Sequence, residues 1–211
     1  MKKKFYILLL AMVVSFAATA QRFEYQLGLK GGLGMGWVGN VKDDITQKDK
    51  GLCYKYGLTA IYYFGESYGI TSGFNIIGNN VSYKYKLIDE SEESPLEQEF
   101  KLEYKNTYCQ VPLLLKMRTD AFASRLRVFG EIGYGLNILV DGIHKLNDTK
   151  QEITYRDVCS SFIVHIGLDV EVLNHSTLQF IVSYDDFFSN MLTPDNKLTL
   201  SNLCFELGFL F

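Results

Sequence analysis

Apolar residues in this chain recur at every second position, in stretches mostly of ten residues or more, between residue 23 and residue 211. Alternate side chains of a strand point to opposite faces, so a chain patterned this way reads as β, with one apolar face per stretch. In the first stretch, residues 23–37, the odd positions carry Tyr25, Leu27, Leu29, Leu33, Met35 and Trp37. The even positions carry Glu24, Gln26, Lys30, Gly28, Gly32, Gly34 and Gly36.

Seven further stretches repeat the pattern. Leu52 to Phe64 sets Tyr54, Tyr56, Leu58 and Tyr62 against Cys53, Lys55 and Thr59. A third run begins at Tyr68 with Ile70, Phe74 and Ile76, and a bulge is expected near Gly78-Asn79-Asn80, after which Val81, Tyr83 and Tyr85 resume the apolar face. The others end in Met117 or span 126–140, 162–172, 178–184 and 202–211. Their polar faces hold Lys116, Arg127, Glu131, His165, Asp169, Glu171 and Glu206. The connections alternate between long (38–50, 87–99, 141–157, 186–196) and short (65–67, 118–125, 173–176).

The reading is an all-β fold: an eight-stranded antiparallel up-and-down transmembrane barrel. Short turns at one end, longer loops at the other and an even strand count are barrel features. The stretches match the roughly 9–11 tilted residues that cross the hydrocarbon layer. No charged residue falls on the apolar faces, and aromatics gather near the strand ends, where girdles form. An open sheet edge in lipid would leave unpaired backbone groups, so strand eight must pair with strand one. With eight strands the interior is filled by side chains, and the charged residues named above should form a paired lumen network. Lys30 should neighbour Glu206, and Arg127 should neighbour Glu171. A soluble lipocalin-like carrier, with the apolar face inward, is the competing β reading.

Residues 1–20 read as a signal peptide. Lys2, Lys3 and Lys4 precede an apolar run from Phe5 to Val14, and Ala18-Thr19-Ala20 places small residues before a cleavage site at Gln21. That run is too short for a membrane helix, which takes roughly 20 apolar residues. Residues 21–211 then form one barrel domain in the outer membrane of a Gram-negative bacterium. The leader takes three lysines and no acids, leaving 18 basic and 24 acidic side chains. A net charge of −6 argues against a nucleic-acid partner. The expected surroundings are outer-membrane lipid and, during biogenesis, the barrel-assembly machinery. For the latter, Phe205, Leu207, Phe209 and Phe211 form a terminal stripe resembling an insertion signal.

The segment Tyr108-Cys109-Gln110-Val111-Pro112-Leu113-Leu114-Leu115-Lys116 resembles the "IPLLLKY" strand of the PorT-like outer-membrane barrel proteins. Gly28-Leu29-Lys30-Gly31-Gly32-Leu33 is similar to that family's first strand. The resemblance covers the mature chain. It implies an eight-stranded outer-membrane barrel without common catalytic residues, and a link of some members to protein secretion.

No catalytic, cofactor or metal motif stands out. Gly34-Met35-Gly36-Trp37-Val38-Gly39 fits a dinucleotide fingerprint in spacing, but it runs into a polar loop where a helix would be needed. Cys53, Cys109, Cys159 and Cys204 fall on alternate strands, too far apart for disulfides on a flat sheet, so free thiols are expected. His144, His165 and His175 admit a catalytic role, and Ser160, Ser161, Asp157 and His144 share one rim, but no spacing specifies a triad. Residues 89–99 read as a solvated external loop. The functional reading is a structural or interaction barrel with four external loops, no open pore and no enzymatic activity. A barrel enzyme acting on envelope lipid and a secretion or assembly component are the alternatives.

Overall fold

The computed structural model describes residues 24–39, 45–88, 97–122, 125–146, 149–151, 157–173, 176–188 and 199–211. The expected leader and His175 lie outside the described residues, as does most of the acidic 89–99 loop. Among these residues ten strands follow one another: β1 Glu24–Gly39, β2 Ile45–Asp49, β3 Gly51–Tyr63, β4 Tyr68–Ile88, β5 Glu97–Arg118, β6 Leu126–Leu146, β7 Thr149–Gln151, β8 Val158–Leu173, β9 Ser176–Phe187 and β10 Thr199–Leu210. Eight of them close a barrel in the order β4-β3-β1-β10-β9-β8-β6-β5, with β5 returning to β4 and every pairing antiparallel. The short β2 extends the wall along β4, and β7 does so along β6.

The register fixes the geometry. The paired inward positions run from Lys116 through Glu131, His165, Ser183, Cys204, Gly34, Cys53 and Asn79 to Asn106. The circuit returns to β5 ten residues from where it began, a shear of 10. With eight strands at ordinary spacing, that shear gives a tilt of about 40° and a radius of about 8 Å. The interior is therefore narrow enough to be filled from wall to wall.

Apolar residues face out and charges face in, the reverse of a soluble domain. Leu33 and Phe205 are 62% and 64% exposed, whereas Lys55 and Lys116 are 1% and 0% exposed. An apolar band of this extent on an exposed surface suits lipid and not water. Tyr25, Tyr62, Phe64, Tyr68, Phe209 and Phe211 border it at the end with the short turns.

The expected bulge in β4 is absent. Pairing with β3 runs unbroken from Gly69 to Asn79, and the β4–β5 register is constant to Ile88 opposite Glu97. Val81 therefore points inward and is buried. The inner face becomes apolar toward the outer mouth, where Val38, Val81, Tyr104 and Leu200 are buried together with Tyr108 and Phe187. That change of lining imitates a change of register. The register shifts lie elsewhere: at Ile45/Gln47 of β2 against β4, at Thr107/Tyr108 against β6 and at Glu171/Leu173 against β9.

Pro112 interrupts the wall without opening it. It has no N–H to give to a ladder, and no paired positions are found between Ser72↔Leu113 and Asn75↔Gln110. Across from it stands Gly73 with φ +156°, where a Cβ would lie 2.1 Å from the Leu58 carbonyl oxygen. The Ser72 hydroxyl donates to the Pro112 carbonyl at 2.9 Å, adding a bond where the ladder is weak.

Candidate functional site

The lumen holds the only dense polar chemistry among the described residues, and it is layered between two apolar plugs. At the end with the short turns, Ile61, Tyr63 and Leu210 pack together as a floor. Arg118 lies 3.7 Å over the Tyr63 ring while its Nε donates to the Glu66 carbonyl at 2.8 Å.

Above the floor sits a first charged layer. Lys116 Nζ is 3.4 Å from Glu131 Oε1 and 3.5 Å from Asp169 Oδ2, and lies 3.6 Å over the Phe129 ring. Glu131 also accepts from Thr71 Oγ1 at 2.8 Å and meets His165 Nδ1 at 2.7 Å. Asp169 accepts from Gln179 Nε2 at 2.6 Å. The second charged layer is a four-membered cluster. Lys30 lies 3.5 Å from Glu206, Lys55 lies 3.3 Å from Glu206, and Lys55 donates to Asp185 at 2.9 Å. Burial of ions is tolerated only when each charge is compensated, and all of these side chains are at least nine-tenths buried.

Carboxamides extend the network toward the outer mouth. Gln110 Nε2 donates to Asp185 Oδ1 at 3.1 Å and to Asn137 Oδ1 at 3.0 Å. Asn75 Nδ2 donates to Gln110 Oε1 at 3.1 Å, and Asn137 Nδ2 donates to Ser161 Oγ at 2.9 Å. All eight strands of the closed wall thus contribute to one polar column from Lys30 to Ser161.

The structure gathers Lys30, Lys55 and Glu206 in one layer and Lys116, Glu131, His165 and Asp169 in the other. Arg127 and Glu171 stand apart. They meet at 3.9 Å at the rim with the short turns, with side chains 31% and 39% exposed, outside the buried network. Asp185, which joins the second layer to the amides, is not among the residues expected from the sequence. It extends the inward parity of Gln179, Ile181 and Ser183 by one step, which is the signal that could have found it.

The cysteines and serines are placed by curvature and parity. Cys53 and Cys204 lie on β3 and β10, with β1 between them, yet their sulfurs are 3.3 Å apart. Both face Gly34 across their ladders, which offers no side chain to separate them, and the wall curves inward. Ser160 and Ser161 point to opposite faces. Ser160 Oγ is 2.5 Å from the Tyr134 hydroxyl on the outer face, and Ser161 is locked to Asn137 inside.

Several solved structures share the overall architecture at low identity. Neisserial surface protein A is 10% identical, with 90% of this chain and 100% of that chain covered and a TM-score of 0.47. The outer membrane protein OprG from Pseudomonas aeruginosa is 13% identical, with coverages of 88% and 95% and a TM-score of 0.46. The outer membrane enzyme PagL is 12% identical, with coverages of 85% and 97% and a TM-score of 0.42. No curated protein matches the chain. A family model described as the outer membrane protein beta-barrel domain matches residues 7–211. The chain therefore belongs to the outer membrane protein beta-barrel domain family.

Proposed function

We propose that this protein is a closed outer-membrane barrel of the PorT-like kind, exported by cleavage near Ala20-Gln21. In this reading its role is structural or interactive, exercised through its external loops, with neither an open pore nor an enzymatic activity. The observation that carries the reading is the lumen itself. Interlocking ion pairs and carboxamides span it from wall to wall, so transport would require breaking several buried charge pairs at once. A second support is the unequal height of the wall. Strands β4, β5 and β6 are 21, 22 and 21 residues long, against 12 for β9 and β10, which offers a raised sheet to partners on one side.

The lipid-modifying alternative draws on Ser160 and its Tyr134 contact, close to the bilayer-facing surface. Reconstitution into planar bilayers, together with acyl-chain profiling of envelope lipid from deleted and overproducing cells, tests both readings. The expected result is no steady unit conductance and an unchanged lipid profile. A stable channel overturns the closed-lumen reading. A shifted acyl profile that reverts with Ser160→Ala overturns the non-enzymatic one.

A further inference from the structure

Three buried carboxamides near the outer mouth have no partner. Asn79, Asn106 and Asn202 are 4%, 2% and 1% exposed, and neither the oxygen nor the nitrogen of any of these amides has a hydrogen bond among the described residues. A buried amide left unpaired is destabilising, and native structures seldom retain one without a bound water or ion. Here six such atoms occur in one corner.

The corner is built around Gly36. Asn79 and Asn106 face each other across β4 and β5, and Asn202 faces Gly36 across β10 and β1. The direction in which a Gly36 side chain would project is met by Asn202 Oδ1 and Asn79 Oδ1. These oxygens lie 2.8 and 3.0 Å from where its Cβ would stand, with Val81 Cγ1 at 3.4 Å. Two carboxamide oxygens from opposite sides of β1 thus turn toward the same bare stretch of wall. The buried Val38, Val81 and Leu200 close the corner toward the outside.

We propose that the lumen binds one alkali-metal cation in this corner, coordinated by Oδ1 of Asn79 and Asn202 and by the neighbouring Asn106. Amide oxygens are hard, neutral ligands suited to hard cations. They bring no charge of their own, which favours a monovalent ion over a divalent one of the kind that carboxylates hold. The ion satisfies the orphaned oxygens.

The test uses the whole mature protein folded in detergent. Thermal unfolding is followed by heat-modifiable gel mobility in sodium, potassium or N-methylglucamine chloride at equal ionic strength. Because a ligand that binds only the folded state raises the midpoint, sodium or potassium should raise it by several degrees, saturably, over the bulky organic cation. Thallium-205 resonance of the wild-type protein should show one saturable bound ion that potassium displaces. Asn79→Leu and Asn202→Leu should each abolish the alkali-dependent shift. Equal midpoints in all three salts, or a shift that survives both substitutions, overturns the proposal and leaves the amides to water. Should the leucine variants fail to fold, the thallium titration decides alone, and absence of a saturable bound ion overturns it.

Discussion

Lys55 and Asp185 stand 130 residues apart in sequence, yet the lysine donates to the carboxylate at 2.9 Å inside the barrel, with both side chains at 1% exposure or less. The pair ties β3 to β9 across the lumen, and Glu206 shares the same lysine at 3.3 Å. Removing one partner strands the other charge. Lys55→Met should therefore lower stability by about 3–5 kcal/mol, and Asp185→Asn by less, because Glu206 still holds the lysine. Lys55→Met combined with Asp185→Asn should recover part of the loss, because the remaining Lys30 and Glu206 still pair. Urea unfolding of the barrel in liposomes measures all three, and a purely additive double variant would show that the charges act independently.

From Gly28 to Gly36 the inner face of β1 is bare apart from Lys30, and its neighbours fill the space. A Cβ on Gly32 would lie 2.2 Å from the Phe205 carbonyl oxygen and 2.8 Å from Glu206 Cγ, and one on Gly34 would lie 2.0 Å from the Leu203 carbonyl oxygen. Gly32→Ala and Gly34→Ala should each yield little folded barrel. Gly31→Ala, whose Cβ would have ordinary contact with Tyr56 at 3.6 Å, should fold normally. The folded fraction on unheated gels separates the two classes.

Ser72 donates to the Pro112 carbonyl, where the β4–β5 ladder is incomplete. Ser72→Ala should destabilise the barrel by roughly 1 kcal/mol, the worth of one hydrogen bond, and Ser72→Thr should retain it. Equal loss in both variants would attribute the effect to packing instead of the hydroxyl.

Phe211 exchanges both backbone hydrogen bonds with Leu27, at 2.8 and 3.3 Å, and so sits in the seam between β10 and β1. It also ends the outward stripe of Phe205, Leu207 and Phe209. Deleting Phe211 should impair insertion in cells more than excising residues 190–197 does. Quantifying the folded form in outer-membrane fractions tests this, and equal insertion of both variants would leave Phe211 as a rim aromatic only.

The two faces of each strand are legible because alternation is a binary signal and lipid enforces it: Leu29, Leu33 and Phe205 have one permissible side. The signal fails in the upper half of β4. There Val81 is apolar and inward because the lumen itself turns apolar near the mouth. It stops short of Asp185 because the clean alternation of Leu178, Phe180 and Val182 ends at Tyr184. A flat-sheet spacing puts Cys53 and Cys204 too far apart, because it leaves out the curvature of the wall and the gap at Gly34. The amide corner leaves no trace in the sequence. Asn79 and Asn202 turn toward Gly36 only because the curved wall carries β4, beyond β3, and β10 in over β1.

The wall is not level. At a tilt of about 40° each residue rises roughly 2.5 Å, so the 12 residues of β9 or β10 reach about 30 Å, the thickness of the hydrocarbon core. The nine extra residues of β4 and β6 lift their ends a further 20 Å or so. That height clears the headgroup layer by a wide margin. In profile the barrel is a parapet on one flank and a low sill on the other. Three neighbouring strands therefore stand clear of the band that the rest of the wall matches in height.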